Sequence, residues 1–207
     1  MEKRDSESVP HVVKWMHEQL VVAHFDLAEY KRIYSSDQED LDVLNATGKI
    51  FFSRLHRLYW STFIQTAGRL MDPKETRLGR EAMGNASLDR LVSEAEKLPF
   101  YPSIKAIQVA AIKEWEPLKK IRNRVISHND LEFVTSTSQN LNARTASIER
   151  IYSLCGEAVN LYHSHFEQSQ VSYDAWHSAG ATTMLSYLRR GRDAWEVERQ
   201  RLIDHQP

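Results

Sequence analysis

The chain lacks most of what marks a disulfide-stapled, sheet-rich or membrane-spanning protein. Among its 207 residues there is one cysteine, Cys155, which closes no intrachain disulfide. The nine histidines come with no Cys-rich zinc framework, so a reducing compartment is expected. Seven glycines and six prolines are about half the usual share, too few for a many-turned β-sandwich or a collagen-like repeat. No apolar run approaches the length a bilayer requires, the longest being stretches such as Leu20 to Ala23. The opening MEKRDSESVP is charged and polar where a signal peptide needs an apolar core. A formal charge of -1 excludes nucleic-acid binding by bulk positive charge, leaving only a focal basic patch. A soluble cytoplasmic protein is the expectation, with no membrane partner.

What is present is helical periodicity. Val13, Met16, Leu20, Ala23, Leu27, Tyr30 and Tyr34 recur at steps of three and four, predicting a helix over 10–35 with Pro10 in its first turn and Ser8 as cap. After a polar stretch and Gly48, the aromatic-rich segment from Ile50 to Leu70 is apolar on most sides and reads as a central, buried helix that stops before Pro73. Residues 73–86 read as a polar connection. Ser87 caps a short predicted helix over Leu88 to Lys97, and Pro99 and Pro102 break it. Ile104, Ile107, Ala111, Trp115, Leu118, Ile121 and Val125 keep a helical period through Pro117, as one kinked helix or two abutting ones. Residues 134–144, rich in Ser, Thr and Asn, read as a loop. Further helices are predicted around Ile148 to Tyr162 and from Ala181 to Ile203, with Gly191 a weak point. No alternation long enough for a sheet appears, so the fold class is all-α, a bundle of antiparallel helices. The expected division is a flexible or disordered N-terminus over 1–9, a helical bundle over 10–168 and a C-terminal helical appendage over 169–207.

One polar cluster sits in an apolar helix: Lys119, Lys120, Ile121, Arg122, Asn123, Arg124, Val125, Ile126, Ser127, His128, Asn129, Asp130. At about 100° per residue, Arg122 and His128 fall on opposite edges of the stripe formed by Leu118, Ile121 and Val125, about 120° apart. Both therefore reach the rim of whatever the stripe packs on. A second copy related by a two-fold axis brings Arg122 of one chain towards His128 of the other. Arg124, four residues before His128, is its nearer neighbour on a single helix. Spacing leaves both arginines as candidates.

Arg122, Asn123, four intervening residues and His128 resemble the signature of the HEPN superfamily. With Arg69-Leu70-Met71-Asp72-Pro73, the Asn85 to Leu88 stretch and the aromatic central helix, the chain is similar to abortive-infection AbiU-type HEPN proteins over roughly residues 10–165. That resemblance implies a HEPN-like bundle and a metal-independent endoribonuclease that dimerises to assemble its site, within a prokaryotic defence or toxin system. It also implies an RNA substrate, a possible cognate antitoxin and no cofactor. Some toxin relatives carry a tyrosine two positions after the histidine, where a partner enzyme modifies them; here that position is Asp130. Other members of the superfamily are non-catalytic modules that bind nucleic acid or a protein.

The chemistry this implies assigns proton transfer to His128, phosphate contact to Arg122 and orientation to Asn123, with Lys119, Lys120 and Arg124 guiding RNA. The plainer alternatives are a helix end whose histidine complements the dipole and a solvated basic face. His17 and His24 read as structural, His163 and His165 point too far apart for one metal ion, and Cys155 reads as an inert core thiol. The Tyr59, Trp60 and Phe63 group reads as core packing. Arg189, Arg190 and Arg192 read as a solvated helix face, with a dimer contact or an RNA path as alternatives.

Overall fold

The computed structural model describes residues 8–34, 37–79, 81–123, 141–173 and 179–204. Six helices are found among them: α1 (Ser8–Tyr34), α2 (Gln38–Leu70), α3 (Leu88–Glu94), α4 (Tyr101–Ile121), α5 (Leu141–Phe166) and α6 (Ala179–Asp204). The fold is all-α, and among the described residues the one exception is a small hairpin, β1 (Glu75–Leu78) and β2 (Glu81–Gly84). Its contacts divide the chain into two units, one of residues 1–24 and 61–175, the other of residues 25–60 and 176–207.

In the first unit the predicted stripes become the core. Met16 and Leu20 of α1, Phe63 and Leu70 of α2, Leu88 and Leu91 of α3, Ile104 and Leu118 of α4, and Ile148, Ile151, Tyr152 and Tyr162 of α5 are all fully buried. Two buried phenols tie helices together through backbone carbonyls: Tyr152 donates to Phe63 at 3.0 Å and Tyr162 donates to Leu91 at 2.6 Å. Ser87 caps α3 as expected, its hydroxyl accepting from the Arg90 N–H, but the helix ends at Glu94, short of Lys97. Helix α4 runs unbroken through Pro117 to Ile121, which settles the choice between a single helix and two abutting ones. Pro117 deprives the Lys113 carbonyl of its helical donor, a loss tolerable on an exposed face. Beyond α5 the side chain of Asn160 both donates to the Val171 carbonyl and accepts from its N–H. Tyr173 then docks on α5 at Gly156, where a Cβ would stand 2.8 Å from its ring, and bonds His17 Nδ1 at 2.9 Å.

Residues 73–86, expected as a plain connection, form an exposed antiparallel hairpin in which Glu75 faces Gly84 and Leu78 faces Glu81. Gly79, at φ +64, supplies the left-handed turn residue. Strands of four residues are too short for a period-two signal, and β2 is exposed along its whole length. Asn85 clasps the base of the hairpin, donating to the Pro73 carbonyl and Thr76 Oγ1. Helix α5 begins at Leu141, so residues 141–144 are helical where a loop was expected. Residues 134–140 lie outside the described residues.

The second unit is built on Ile33, Leu44, Phe52, Ala181 and Leu185. Helix α2 starts twelve residues earlier than Ile50 because Asp37 accepts from the Asp40 N–H at 2.7 Å, capping a segment whose Val43 and Leu44 are buried. The two halves of α2 meet at Gly48, where ψ is 51 and the helix bends. Trp60 Nε1 donates to Tyr30 Oη, which also meets His56 Nε2 at 3.1 Å. Burial holds the His56 imidazole below its ordinary pKa. Gly191 does not interrupt α6.

No helix among the described residues is long and apolar enough to cross a membrane. Cys155 is fully buried, and burial pushes its thiol pKa up to about 12. Almost none of it is thiolate at neutral pH, so iodoacetamide is expected to label the chain stoichiometrically in denaturant and negligibly when folded. Rapid labelling of the folded protein would contradict that burial.

Candidate functional site

The site builds from the C-terminal end of α4. Its stripe of Ile104, Ala111, Trp115, Leu118 and Ile121 is buried, and α4 packs along α5 and against α3. Packing the stripe inward leaves the following residues at the rim, as the helical wheel predicts for Arg122. The backbone stays helical at Arg122, with φ -51 and ψ -50, and its N–H bonds the Leu118 and Lys119 carbonyls. The turn then widens over Arg122 and Asn123.

The Arg122 side chain folds back over α4. Its guanidinium carbon lies 5.4 Å from the Trp115 ring centre, Nη1 donates to Asp72 Oδ1 at 3.2 Å, and Nε donates to Asn123 Oδ1 at 3.3 Å. Gly68 of α2 makes the third wall, since a Cβ there would fall 2.7 Å from Nη1 and 3.0 Å from Cδ. A planar guanidinium stacked on an indole and bonded at its edge keeps few orientations, which is what directional recognition of an oxyanion needs. Arg122 and the run ending in Asp72-Pro73 are both distinctive in the sequence, but nothing local connects them. The signal was an acid ahead of a proline at the end of a buried helix.

Gly68→Ala is expected to push the guanidinium off Trp115 without filling any other space. The NMR resonance of the Arg122 Nε–H, assigned by its loss in Arg122→Lys, should move on that substitution. An unmoved resonance would mean the slot is looser than these distances.

Arg122 stands at one wall of a cleft of about 330 Å³ that also takes in Asp72, Asp89, Gln108, Trp115, Glu116 and Lys119. Asp89, in the first turn of α3, accepts from the Lys74 N–H at 2.8 Å and from Gln108 Nε2 at 2.9 Å, and Lys105 in turn donates to Gln108 at 2.7 Å. Lys119 lies 3.8 Å from Glu116 on the exposed edge, and Lys120 is exposed without lining the cleft. The cleft therefore mixes both charge signs. His128 and Arg124, the other expected members of the site, and Asp130 lie outside the described residues. No group of three or more His, Cys, Asp or Glu among the described residues is arranged to hold a metal ion.

Among the described histidines, His24 is buried and stacks on Tyr173, while His163 Nδ1 meets Glu167 at 2.7 Å. Trp60 and Phe63 are core residues, and Tyr59, at their margin, meets Glu29.

A family model described as AbiU2, of HEPN type, matches residues 6–181, a span that includes the whole α4 cluster and stops at the start of α6. No curated protein and no solved structure matches the chain. With most of the chain covered by that match, on an all-α fold whose α4 ends in Arg122 and Asn123, the chain belongs to the AbiU2 family of HEPN-type abortive-infection proteins.

Proposed function

We propose that this protein is a metal-independent endoribonuclease of a prokaryotic defence or toxin system, acting as a homodimer. The observation that carries this reading is the half-buried Arg122 guanidinium, oriented by Trp115, Asp72 and Gly68 on the wall of a cleft. In RNA the 2′-OH is the nucleophile, so the protein has to move protons and stabilise charge. His128 accepts the 2′-OH proton as that oxygen forms its bond to phosphorus. Negative charge then gathers on the phosphorane oxygens, where a guanidinium is most effective, and Asn123 orients the phosphate. The bond to the 5′-oxygen breaks, and that oxygen takes up a proton. The products are a 2′,3′-cyclic phosphate and a 5′-OH, and DNA is left uncut. Lys119, Lys120 and Arg124 steer the strand.

The test is purified full-length protein on labelled RNA, with EDTA in one arm. Equal cleavage with and without EDTA, cyclic-phosphate ends and intact DNA are expected. A second reading, a non-catalytic module that binds nucleic acid or a protein partner such as an antitoxin, is favoured by the carboxylates of Asp72, Asp89 and Glu116 in the cleft. RNA bound but recovered whole would establish it in place of the first.

Helix α6 supplies a face for the homodimer. Ala181 and Leu185 are buried and Leu188 partly so, but the same stripe continues in phase to Trp195 and Leu202, which are 59% and 57% exposed. Antiparallel pairing of two such helices with Trp195 against Leu202 sets Glu196 opposite Arg201 and Glu198 opposite Arg199, a self-complementary pattern. Trp195→Ala is expected to weaken self-association at least about tenfold, as loss of an aromatic anchor does. Glu196→Arg should weaken it too, and adding Arg201→Glu to the same chain should restore it. Sedimentation measures all three; equal association of Trp195→Ala and wild type would remove α6 from the interface.

A further inference from the structure

A second cavity, larger than the cleft beside Arg122, lies away from it within the first unit. It measures about 760 Å³, within the usual range for small-molecule sites. Three segments wall it: the first turns of α1, the chain leaving α3 and the last turns of α5. Its body is apolar, made by Val9, Val13, Leu98, Tyr162 and Phe166, with the last two rings stacked at 6.2 Å and 23°. Phe166 is mostly exposed although Tyr162 and His165 flank it, a position water disfavours for a phenyl ring.

The charges at its edge do not cancel. Glu94 is paired with Arg90 at 3.5 Å, and Glu167 with His163 Nδ1 at 2.7 Å. The His17 ring bonds Tyr173, and burial together with His163 holds the His17 pKa below its ordinary value, towards the neutral imidazole. Lys14 and Lys97 line the same cavity, are exposed, and make no ion pair or hydrogen bond with any described residue. The nearby N-terminal end of α1 adds positive potential. With Glu94 compensated by Arg90, two ammonium groups stand against one remaining carboxylate, Glu167, so the mouth is cationic over an apolar interior.

We propose that this cavity binds a small amphipathic anion, its aromatic or acyl body against Val13, Leu98, Tyr162 and Phe166 and its single carboxylate, sulfonate or phosphate head between Lys14 and Lys97. Arg122 does not line this cavity, and the proposal stands or falls independently of RNA cleavage.

The test uses the full chain and two fluorescent probes of similar shape, anionic anilinonaphthalene sulfonate and neutral phenylnaphthylamine. Saturable binding of one sulfonate probe per chain is expected, with the neutral probe at least tenfold weaker. Lys14→Glu with Lys97→Glu, both on the surface, should weaken the sulfonate at least tenfold and change the neutral probe less than twofold. Leu98→Trp, checked for native helicity, should abolish both by filling the cavity. Displacement by decanoate marks the body as acyl, and displacement by naphthoate marks it as aromatic. Binding unchanged by the lysine reversals, a neutral probe as tight as the anion, or displacement by neither acid would overturn the proposal.

Discussion

Arg122→Ala is expected to lower RNA cleavage on the order of 10²–10³-fold, the usual loss when one preorganised donor to a developing oxyanion is removed. His128→Ala should cost on the order of 10²–10⁴-fold, as loss of a general acid or base does. Arg122→Lys should recover little of the activity, because a point-charge ammonium neither stacks on Trp115 nor spans two oxygens as a guanidinium does. Stability separates this role from a structural one. The Arg122 and Asp72 side chains are 28% and 35% exposed, so their ion pair is worth only about 0.5–1 kcal/mol. A large rate loss beside a small shift in the urea midpoint identifies chemistry; comparable losses in both would make Arg122 a helix-end brace. Full cleavage by His128→Ala would end the nuclease mechanism, and the spared activity of Arg124→Ala beside a dead Arg122→Ala would decide between the two arginines.

The second large effect concerns stability. Asp40 is almost wholly buried, at 1% exposure of its side chain, and accepts from two guanidinium groups, Arg32 Nη1 at 2.6 Å and Arg189 Nη2 at closer range. Asp40→Ala leaves these two cations side by side without their shared anion. Breaking a buried pair this way costs about 3–5 kcal/mol; Arg32 and Arg189 retain some water, so about 2–4 kcal/mol is expected here. Urea unfolding of the second unit, followed through helicity, gives the measurement. Asp40→Asn keeps the shape and removes the charge, so a comparable loss in Asn and Ala would assign the stability to the ionic contact. A loss near zero in both would mean that the other contacts of α6, the packing of Ala181 and Leu185 foremost, hold it without this ion pair.

Asp40 also shows how far the sequence could be read. Arg189, Arg190 and Arg192 appear there as a solvated cluster diluted by Asp193 and Glu196. Only folding brings Arg189 to a carboxylate 149 positions earlier in the chain. Asp40 itself, in a run of polar residues, carries no local mark of burial. The α2 segment over residues 38–47 was missed for a related reason: its apolar positions are few, and the Asp37 cap that starts it is recognisable only beside Val43 and Leu44.

The amino-acid sequence by itself determined the helical class, the stripes that became the core, the Ser87 cap and the polar cluster after Leu118, because each depends on neighbours within a turn or two of helix. Periodicity and capping are local, and local free energies survive without knowledge of the fold. Tertiary structure alone decided that Gly68, Asp72 and Trp115 form a slot for Arg122, that Arg32 and Arg189 share Asp40, and that Lys14 and Lys97 edge one cavity. Each of these unites residues far apart in the chain. Their association depends on which stripes meet, a sum of many small packing terms that no single stretch of sequence contains.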